Sequence, residues 1–177
     1  MNYATIKKFD IANGVGVRVS LFVSGCRHHC RECFNSIAWD FNYGEPFTEE
    51  VENELLNALD DENIEGLSLL GGEPFEPENQ KGLINFMRKV NKRFPNKNVW
   101  CYTGFTYDVD LIKGGKAYTD VTNELLSYID ILVDGKFISE LKDLKIKFRG
   151  SSNQRIIDLK LSRKENKVIL KEDLMYR

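Results

Sequence analysis

The sequence predicts an α/β fold in which a mostly parallel sheet, flanked by helices, closes only part of a barrel. Short apolar runs alternate with helical segments about four times, as in parallel sheets joined by crossover helices. Polar or glycine-rich segments follow these runs directly, at the edge of such sheets where active sites lie. The chain has 177 residues, whereas a full eight-unit barrel needs ~250. We therefore expect an open or partial barrel.

The individual elements follow from the spacing of apolar residues. Four strands are predicted at residues 17–23, 66–70, 98–102 and 129–133. Three helices are predicted at residues 48–59, 77–94 and 122–129, the second of them with Pro77 in its first turn. Residues from 160 onward are mostly charged and are expected to form a peripheral tail of a single domain spanning residues 1–177.

Composition excludes several classes of protein. The 25 basic and 27 acidic residues give a net charge of −2, so nothing indicates a nucleic-acid-binding protein. Residues 1–10 contain no apolar segment of a secretory signal, and no apolar run approaches the ~20 residues that span a bilayer. We therefore expect a cytoplasmic protein without a membrane partner. Its cysteines should stay reduced there, and they would serve metal binding or catalysis.

Three of the four cysteines lie within eight residues, directly after the first predicted strand. Cys26, Cys30 and Cys33 could be unremarkable thiols, zinc ligands together with His28 or His29, or ligands of a four-iron cluster. Free cysteines have no reason to crowd onto one polar loop, and the usual spacing of a zinc site is absent. A cluster held by three cysteines would leave one iron open to a small molecule. Cys101 alternates with aromatic residues in a predicted strand and is expected to be a packing residue.

Three further segments follow predicted strands and should meet the cysteines at the same edge. Gly71-Gly72-Glu73 follows the second strand, and adjacent glycines allow the backbone to come close to another group. Thr103-Gly104 follows the third strand, and Asp134-Gly135-Lys136 follows the fourth. The polar, glycine-marked residues 146–155 could close the resulting site.

These motifs together resemble those of the radical S-adenosylmethionine enzymes. The resemblance rests on C-x3-C-x2-C after the first strand and on Gly-Gly-Glu-Pro after the second. More narrowly, residues 21–26, 71–74, 132–137 and 149–154 resemble the glycyl-radical-enzyme activases that serve anaerobic ribonucleoside-triphosphate reductase. The resemblance extends from about Asn13 to Arg155.

This resemblance implies a partial barrel of the radical S-adenosylmethionine type and an oxidoreductase activity. In that family, S-adenosylmethionine binds the open iron of a [4Fe-4S] cluster through its amino and carboxylate groups. An electron from the cluster cleaves it to methionine and a 5′-deoxyadenosyl radical, which takes hydrogen from a glycine of the reductase. The implied partners are the glycyl-radical subunit of the reductase and a flavodoxin-type or similar electron donor.

The resemblance also implies roles for individual residues. Cys26, Cys30 and Cys33 would hold the cluster. Gly71, Gly72 and Glu73 would receive the methionine amino group. Glu32, Cys33 and Phe34 would border the adenine, although Glu32 stands where the superfamily usually has an aromatic residue. Asp134 and Lys136 would lie near the cofactor, with Lys136 able to meet its carboxylate. No acid, base or nucleophile is assigned, because the cofactor supplies the chemistry.

Two alternatives stay open. The chain could activate another glycyl-radical enzyme, such as a formate lyase, although such activases often carry a second cysteine-rich insert, and none is visible here. From a different class, it could be a zinc-stabilised binding module without catalysis.

Overall fold

The computed structural model describes residues 1–175, which form one mixed sheet with helices. The strands in the described chain are β1 Asn2–Asp10, β2 Arg18–Val23, β3 Glu45–Pro46, β4 Gly66–Gly71, β5 Asn98–Tyr102, β6 Ile131–Asp134 and β7 Arg155–Asp158. The α-helices are α1 Glu49–Leu59, α2 Pro77–Arg93, α3 Tyr107–Asp110, α4 Thr122–Ser127, α5 Leu159–Glu165 and α6 Glu172–Met175. Two short 3-10 helices cover Ser36–Trp39 and Ser139–Leu141.

The sheet is open and has the strand order β3-β1-β2-β4-β5-β6-β7. The four central strands are parallel to one another, as the alternation of strands and helices predicted. They are β2, β4, β5 and β6. The outer pairings of β1 with β2, β1 with β3, and β6 with β7 are antiparallel. The sheet is therefore mixed, and "mostly parallel" describes only its centre.

The hydrophobic core lies on one face of the sheet. Alternate strand residues, including Leu21, Leu69 and Leu132, pack against apolar residues of α1, α2 and α4. Cys101 belongs to this face and is 0% exposed, which confirms that it is a packing residue. The helices predicted at residues 48–59, 77–94 and 122–129 are present as α1, α2 and α4.

The second face of the sheet carries a fully buried arginine near the starts of three parallel strands. The Arg18 guanidinium donates to Ser68 Oγ at 2.7 Å and to the carbonyl oxygens of Leu67 and Asn98 at 2.8 and 3.2 Å. It also lies over the ring of Trp100, 5.6 Å from the centroid. Burial lowers the pKa of Arg18 to about 10, so it stays charged at neutral pH. Arg18 thereby links β2, β4 and β5 at the edge opposite the cysteines.

The segment from residue 160, expected to be a peripheral tail, contributes to both faces. Leu170 forms an isolated bridge with Ile157 and packs against the main core. Leu174 of α6 packs with Trp100, Val133 and Ile156 on the second face. None of the helices formed by residues 1–175 is both long and apolar enough to cross a lipid bilayer.

Candidate iron–sulfur site

The cysteine loop, residues 24–35, leaves the end of β2 and meets the loops that follow β4, β5 and β6. Parallel strands end at the same edge of a sheet, so these loops are neighbours. Gly72 N donates to the carbonyl oxygen of Val23 at 2.7 Å, and Glu73 N donates to that of Gly25 at 2.8 Å. The Gly-Gly-Glu turn, residues 71–76, therefore lies directly against the start of the cysteine loop.

Glu73 is the side chain at the centre of these contacts. Its carboxylate is 1% exposed and contacts groups from three segments. It accepts hydrogen bonds from Thr103 Oγ1 at 2.7 Å, Gly104 N at 2.7 Å and Phe75 N at 2.9 Å. His28 Nε2 of the cysteine loop lies 2.9 Å from the same carboxylate. The carboxylate therefore joins the cysteine loop to the end of β5 through protein contacts.

A second buried glutamate fixes the first turn of the cysteine loop. Glu76 accepts a hydrogen bond from the backbone N–H of Arg27 at 2.7 Å and from the Arg27 guanidinium at 2.6 Å. Asn79 adds amide hydrogen bonds to the carbonyl oxygens of Ser24 and Glu73, both at 2.9 Å. The loop conformation is thus set by groups on the Gly-Gly-Glu turn and at the start of α2.

Close backbone packing explains the two glycines of the turn. Gly71 has φ of +111°, and a Cβ there would lie 2.6 Å from the backbone N and O of Val23. A Cβ at Gly72 would lie 2.6 Å from the carbonyl oxygen of Gly25. No larger residue fits at either position without moving backbone, which keeps the turn close to the cysteine loop.

The three loop cysteines differ in burial but lie in one electrostatic neighbourhood. Cys26 is buried, and burial raises the pKa of its thiol to about 12, although a hydrogen bond from the backbone N–H of His28 acts to lower this pKa. Burial also raises the pKa of the half-buried Cys30. Cys30 contributes to the raised pKa of Cys26, and Cys33 contributes to that of Cys30. Cys33 N also donates to Cys30 O at 3.1 Å.

The donor set fits an iron–sulfur cluster better than a single metal ion. Within residues 1–175, no group of three or more His, Cys, Asp or Glu side chains is arranged to hold one ion. His28 Nε2 is engaged by Glu73, and His29 stacks on Trp39 with ring centroids 4.5 Å apart. In a cluster each cysteine binds a different iron, so the thiolates need not converge on one point. Backbone N–H groups beside the Cys26 and Cys30 sulfurs are also typical of cluster sites.

Asp134 and Lys136 lie at the same edge but have separate environments. The Asp134 carboxylate is fully buried and accepts hydrogen bonds from Arg155 at 2.6 and 2.9 Å and from Tyr107 N at 2.8 Å. Lys136 is exposed, and its charge acts on Cys30 to lower the pKa of that thiol. A hydrogen bond from the backbone N–H of Phe137 also acts to lower the pKa of Cys30. Lys136 is thus beside the cysteine loop, whereas Asp134 serves internal contacts.

Two other predicted residues of the cysteine loop, Glu32 and Phe34, are exposed. Phe34 is 89% exposed, and Glu32 has a left-handed backbone with φ of +59°. The segment 149–154 holds the loop after β6, since Gln154 Nε2 donates to Gly135 O and Asn153 Nδ2 donates to Lys136 O.

Sequence reasoning missed the parts that Glu76 and His28 play in positioning the cysteines. The available signal was their placement, because Glu76 immediately precedes Pro77 at the start of α2 and His28 lies between two of the cysteines. Neither position reveals that the two residues connect the same pair of loops.

Comparison with known proteins identifies the family. Residues 12–157 match the family model described as a 4Fe-4S single cluster domain. The anaerobic ribonucleoside-triphosphate reductase-activating protein of Escherichia coli K12 is 38% identical over 162 residues, covering 90% of this chain and 100% of that protein. The protein of the same name from Haemophilus influenzae is 41% identical over 91% of this chain and 100% of its own length. That of enterobacteria phage T4 is 38% identical over 88% of this chain and 93% of its own length. The chain therefore belongs to the family of anaerobic ribonucleoside-triphosphate reductase-activating proteins and carries its 4Fe-4S single cluster domain.

Proposed function

We propose that this protein activates an anaerobic ribonucleoside-triphosphate reductase by reductive cleavage of S-adenosylmethionine at a [4Fe-4S] cluster. The observation that carries the proposal is the count of thiols at the site. Cys26, Cys30 and Cys33 share one loop, while Cys101 is buried in the core of the sheet. A four-iron cluster bound there lacks a fourth cysteine, so one iron is open to the cofactor.

When bound, the cluster and S-adenosylmethionine would supply one electron and a 5′-deoxyadenosyl radical able to take hydrogen from a glycine of the reductase. The protein supplies position and shielding. Glu73 and Glu76 hold the cysteine loop against the sheet. Because the Glu73 carboxylate already has four partners, we assign reception of the methionine amino group to the backbone of Gly71 and Gly72 rather than to that carboxylate.

The other predicted contacts form part of the same proposal. Lys136 would meet the carboxylate of the cofactor, supported by its position beside Cys30. Phe34, with Glu32 and Cys33, would border the adenine, supported by the exposure of the Phe34 ring. Asp134 would act by orienting the loop that carries Lys136, since its own carboxylate is paired with Arg155. The open sheet would form a partial barrel of the radical S-adenosylmethionine type.

The test is an anaerobic assay of the reconstituted protein. Iron and sulfide are added, then dithionite and S-adenosylmethionine, and 5′-deoxyadenosine and iron content are quantified. We expect product from the wild type and from Cys101→Ala, but only background from Cys30→Ala. Tightly held zinc, with neither iron absorbance nor product, would reject the proposal and favour the zinc-stabilised module.

A second step identifies the partner. The loaded protein is mixed with an anaerobic ribonucleoside-triphosphate reductase or with a formate lyase, and the glycyl radical is measured by electron paramagnetic resonance. We expect a radical on the reductase. A radical on the lyase alone would make this chain an activase of that second class.

A further inference from the structure

His28 makes contacts with its backbone and with its ring. Its backbone N–H is hydrogen bonded to the sulfur of Cys26. Its side chain is only 11% exposed, and Nε2 lies 2.9 Å from Glu73 Oε2. Because an ionised carboxylate only accepts hydrogen bonds, Nε2–H is the donor in this contact. His28 therefore connects the Cys26 sulfur to the buried glutamate of the Gly-Gly-Glu turn.

The segment after β5 also holds the His28 ring. The rings of His28 and Phe105 meet at 61°, with their centroids 4.4 Å apart. Gly104 N donates to the same Glu73 oxygen, Oε2, at 2.7 Å. A Cβ at Gly104 would lie 2.6 Å from His28 Cδ2 and 2.7 Å from His28 Nε2, which is too close for a van der Waals contact. The glycine of the predicted Thr103-Gly104 pair thus leaves room for the histidine ring.

The neighbouring histidine has different surroundings. His29 is exposed and stacks on Trp39, with ring centroids 4.5 Å apart and 18° between the ring planes. The two histidines are adjacent in the same loop, yet the hydrogen bond to the Cys26 sulfur comes from His28. His29 therefore provides a matched control for any effect of losing an imidazole from this loop.

A hydrogen bond to a ligand sulfur affects the reduction potential of an iron–sulfur cluster. Such a bond stabilises negative charge on the sulfur, and the reduced cluster carries one more negative charge than the oxidised cluster. The bond therefore stabilises the reduced form more than the oxidised form and raises the potential. In the iron-free chain the same N–H acts to lower the pKa of the Cys26 thiol, which is the same preference for negative charge.

We propose that His28 is a positioning residue whose ring, held by Glu73 and Phe105, keeps the His28 backbone N–H on the Cys26 sulfur and thereby raises the reduction potential of the cluster. The inference rests on Cys26 being a cluster ligand, which is part of the proposed function, but it does not require cleavage of S-adenosylmethionine. His28 acts through the conformation of the loop and touches no reacting atom.

The test compares side-chain variants of the two histidines in the iron-loaded protein. His28→Leu removes the Nε2 donor, whereas His28→Gln keeps an N–H donor the same number of bonds from the backbone. His29→Leu is the matched control. The midpoint potential of the cluster is measured for each protein by redox titration followed by electron paramagnetic resonance, without S-adenosylmethionine. Iron content and far-ultraviolet circular dichroism are recorded for the same samples.

We expect a lower midpoint potential in His28→Leu. At a fixed solution potential, the ratio of reduced to oxidised cluster should fall about tenfold relative to the wild type, because the hydrogen bond to the Cys26 sulfur is lost. His28→Gln should restore most of the wild-type ratio. His29→Leu should match the wild type.

A substitution at Gly104 tests the position of the ring without changing the histidine. Gly104 is not among the glycines with positive φ, so an alanine there introduces crowding against the ring rather than backbone strain. We expect Gly104→Ala to lower the potential in the same direction as His28→Leu. The double variant should have a potential no lower than that of His28→Leu, because the ring that the new Cβ displaces is then absent.

An unchanged potential in His28→Leu, with iron bound as in the wild type, would overturn the inference. An equal fall in His29→Leu would also overturn it, because any change in the loop would then lower the potential. If His28→Leu bound no iron, Gly104→Ala would decide, and an unchanged potential there would count against the inference. A wild type with a measurable cluster potential but no 5′-deoxyadenosine would contradict the proposed function and leave this comparison intact, whereas a wild type without any cluster would overturn both.

Discussion

The carboxylate of Glu73, a predicted cofactor contact, is surrounded by protein groups in the structure. Four groups from the cysteine loop, the Gly-Gly-Glu turn and the end of β5 surround it. A buried carboxylate with this many partners positions loops, because removing one acceptor leaves a buried donor unpaired. Its main contribution in the iron-free protein should therefore be stability.

The substitution Glu73→Gln tests this role. The new amide nitrogen would face N–H or O–H donors that now meet an oxygen, so we expect the free energy of unfolding to fall by about 1–3 kcal/mol. The measurement is urea denaturation of the iron-free protein under reducing conditions, with Glu62→Gln, at an exposed position, as the control. If both variants were as stable as the wild type, the carboxylate would not be holding the loops together.

The Gly-Gly-Glu turn shows where sequence reasoning reached its limit. Adjacent glycines after a strand correctly indicated close approach of the backbone, but spacing does not reveal what is approached. In the structure the neighbour of Gly71 is the end of β2, and that of Gly72 is the cysteine loop. A glycine requirement of this kind arises from packing between two loops, whether or not a ligand is bound nearby.

A pair of alanine substitutions separates crowding in this turn from backbone strain. Gly71 and Gly114 both have positive φ, +111° and +88°, but a Cβ at Gly114 meets nothing within 4 Å. We expect Gly114→Ala to cost about 1–2 kcal/mol from the left-handed backbone, and Gly71→Ala to cost a further ~1–3 kcal/mol from overpacking against Val23. Thermal unfolding of the iron-free variants measures the difference. Equal losses of stability in the two variants would mean that the turn accommodates a Cβ at Gly71 without an overpacking cost.

Strands at the outside of the sheet were the hardest elements to predict. The buried central strands form continuous apolar runs, and these were identified from the sequence. Strand β1 is mostly polar and partly exposed, so nothing in its pattern distinguishes it from a loop. Strand β7 has only Ile156 and Ile157 as apolar residues. Both depend on pairing with a neighbouring strand, a long-range contact that a local pattern does not contain.

The C-terminal residues illustrate the same limit in another way. Their many charges predicted a peripheral tail, yet the few apolar residues among them decide where the chain packs. Leu170 packs against the main core on one face of the sheet, and Leu174 packs against the second face. Average composition over a segment therefore hides a sparse apolar pattern.

The apolar residues that stabilise the fold are separate from the cysteines of the iron–sulfur site. The main core is formed by the sheet with α1, α2 and α4, and none of the three loop cysteines belongs to it. The cysteine loop is attached by polar contacts to Glu73, Glu76 and Asn79. These contacts join protein groups to one another, and none of them uses a cysteine sulfur.

This organisation predicts that the protein stays folded when the cluster is removed. Treating the reconstituted protein with a chelator under reducing conditions should leave its far-ultraviolet circular dichroism unchanged and preserve one cooperative thermal transition. A zinc-stabilised module would behave differently, because small structural metal sites supply the folding energy themselves and chelators unfold them. Cys30→Ala, which should not bind the cluster, provides an iron-free reference that needs no chelator. If both iron-free forms lost their sheet and helix signal, the metal would be part of the fold, and the polar contacts of the cysteine loop would be a consequence of metal binding.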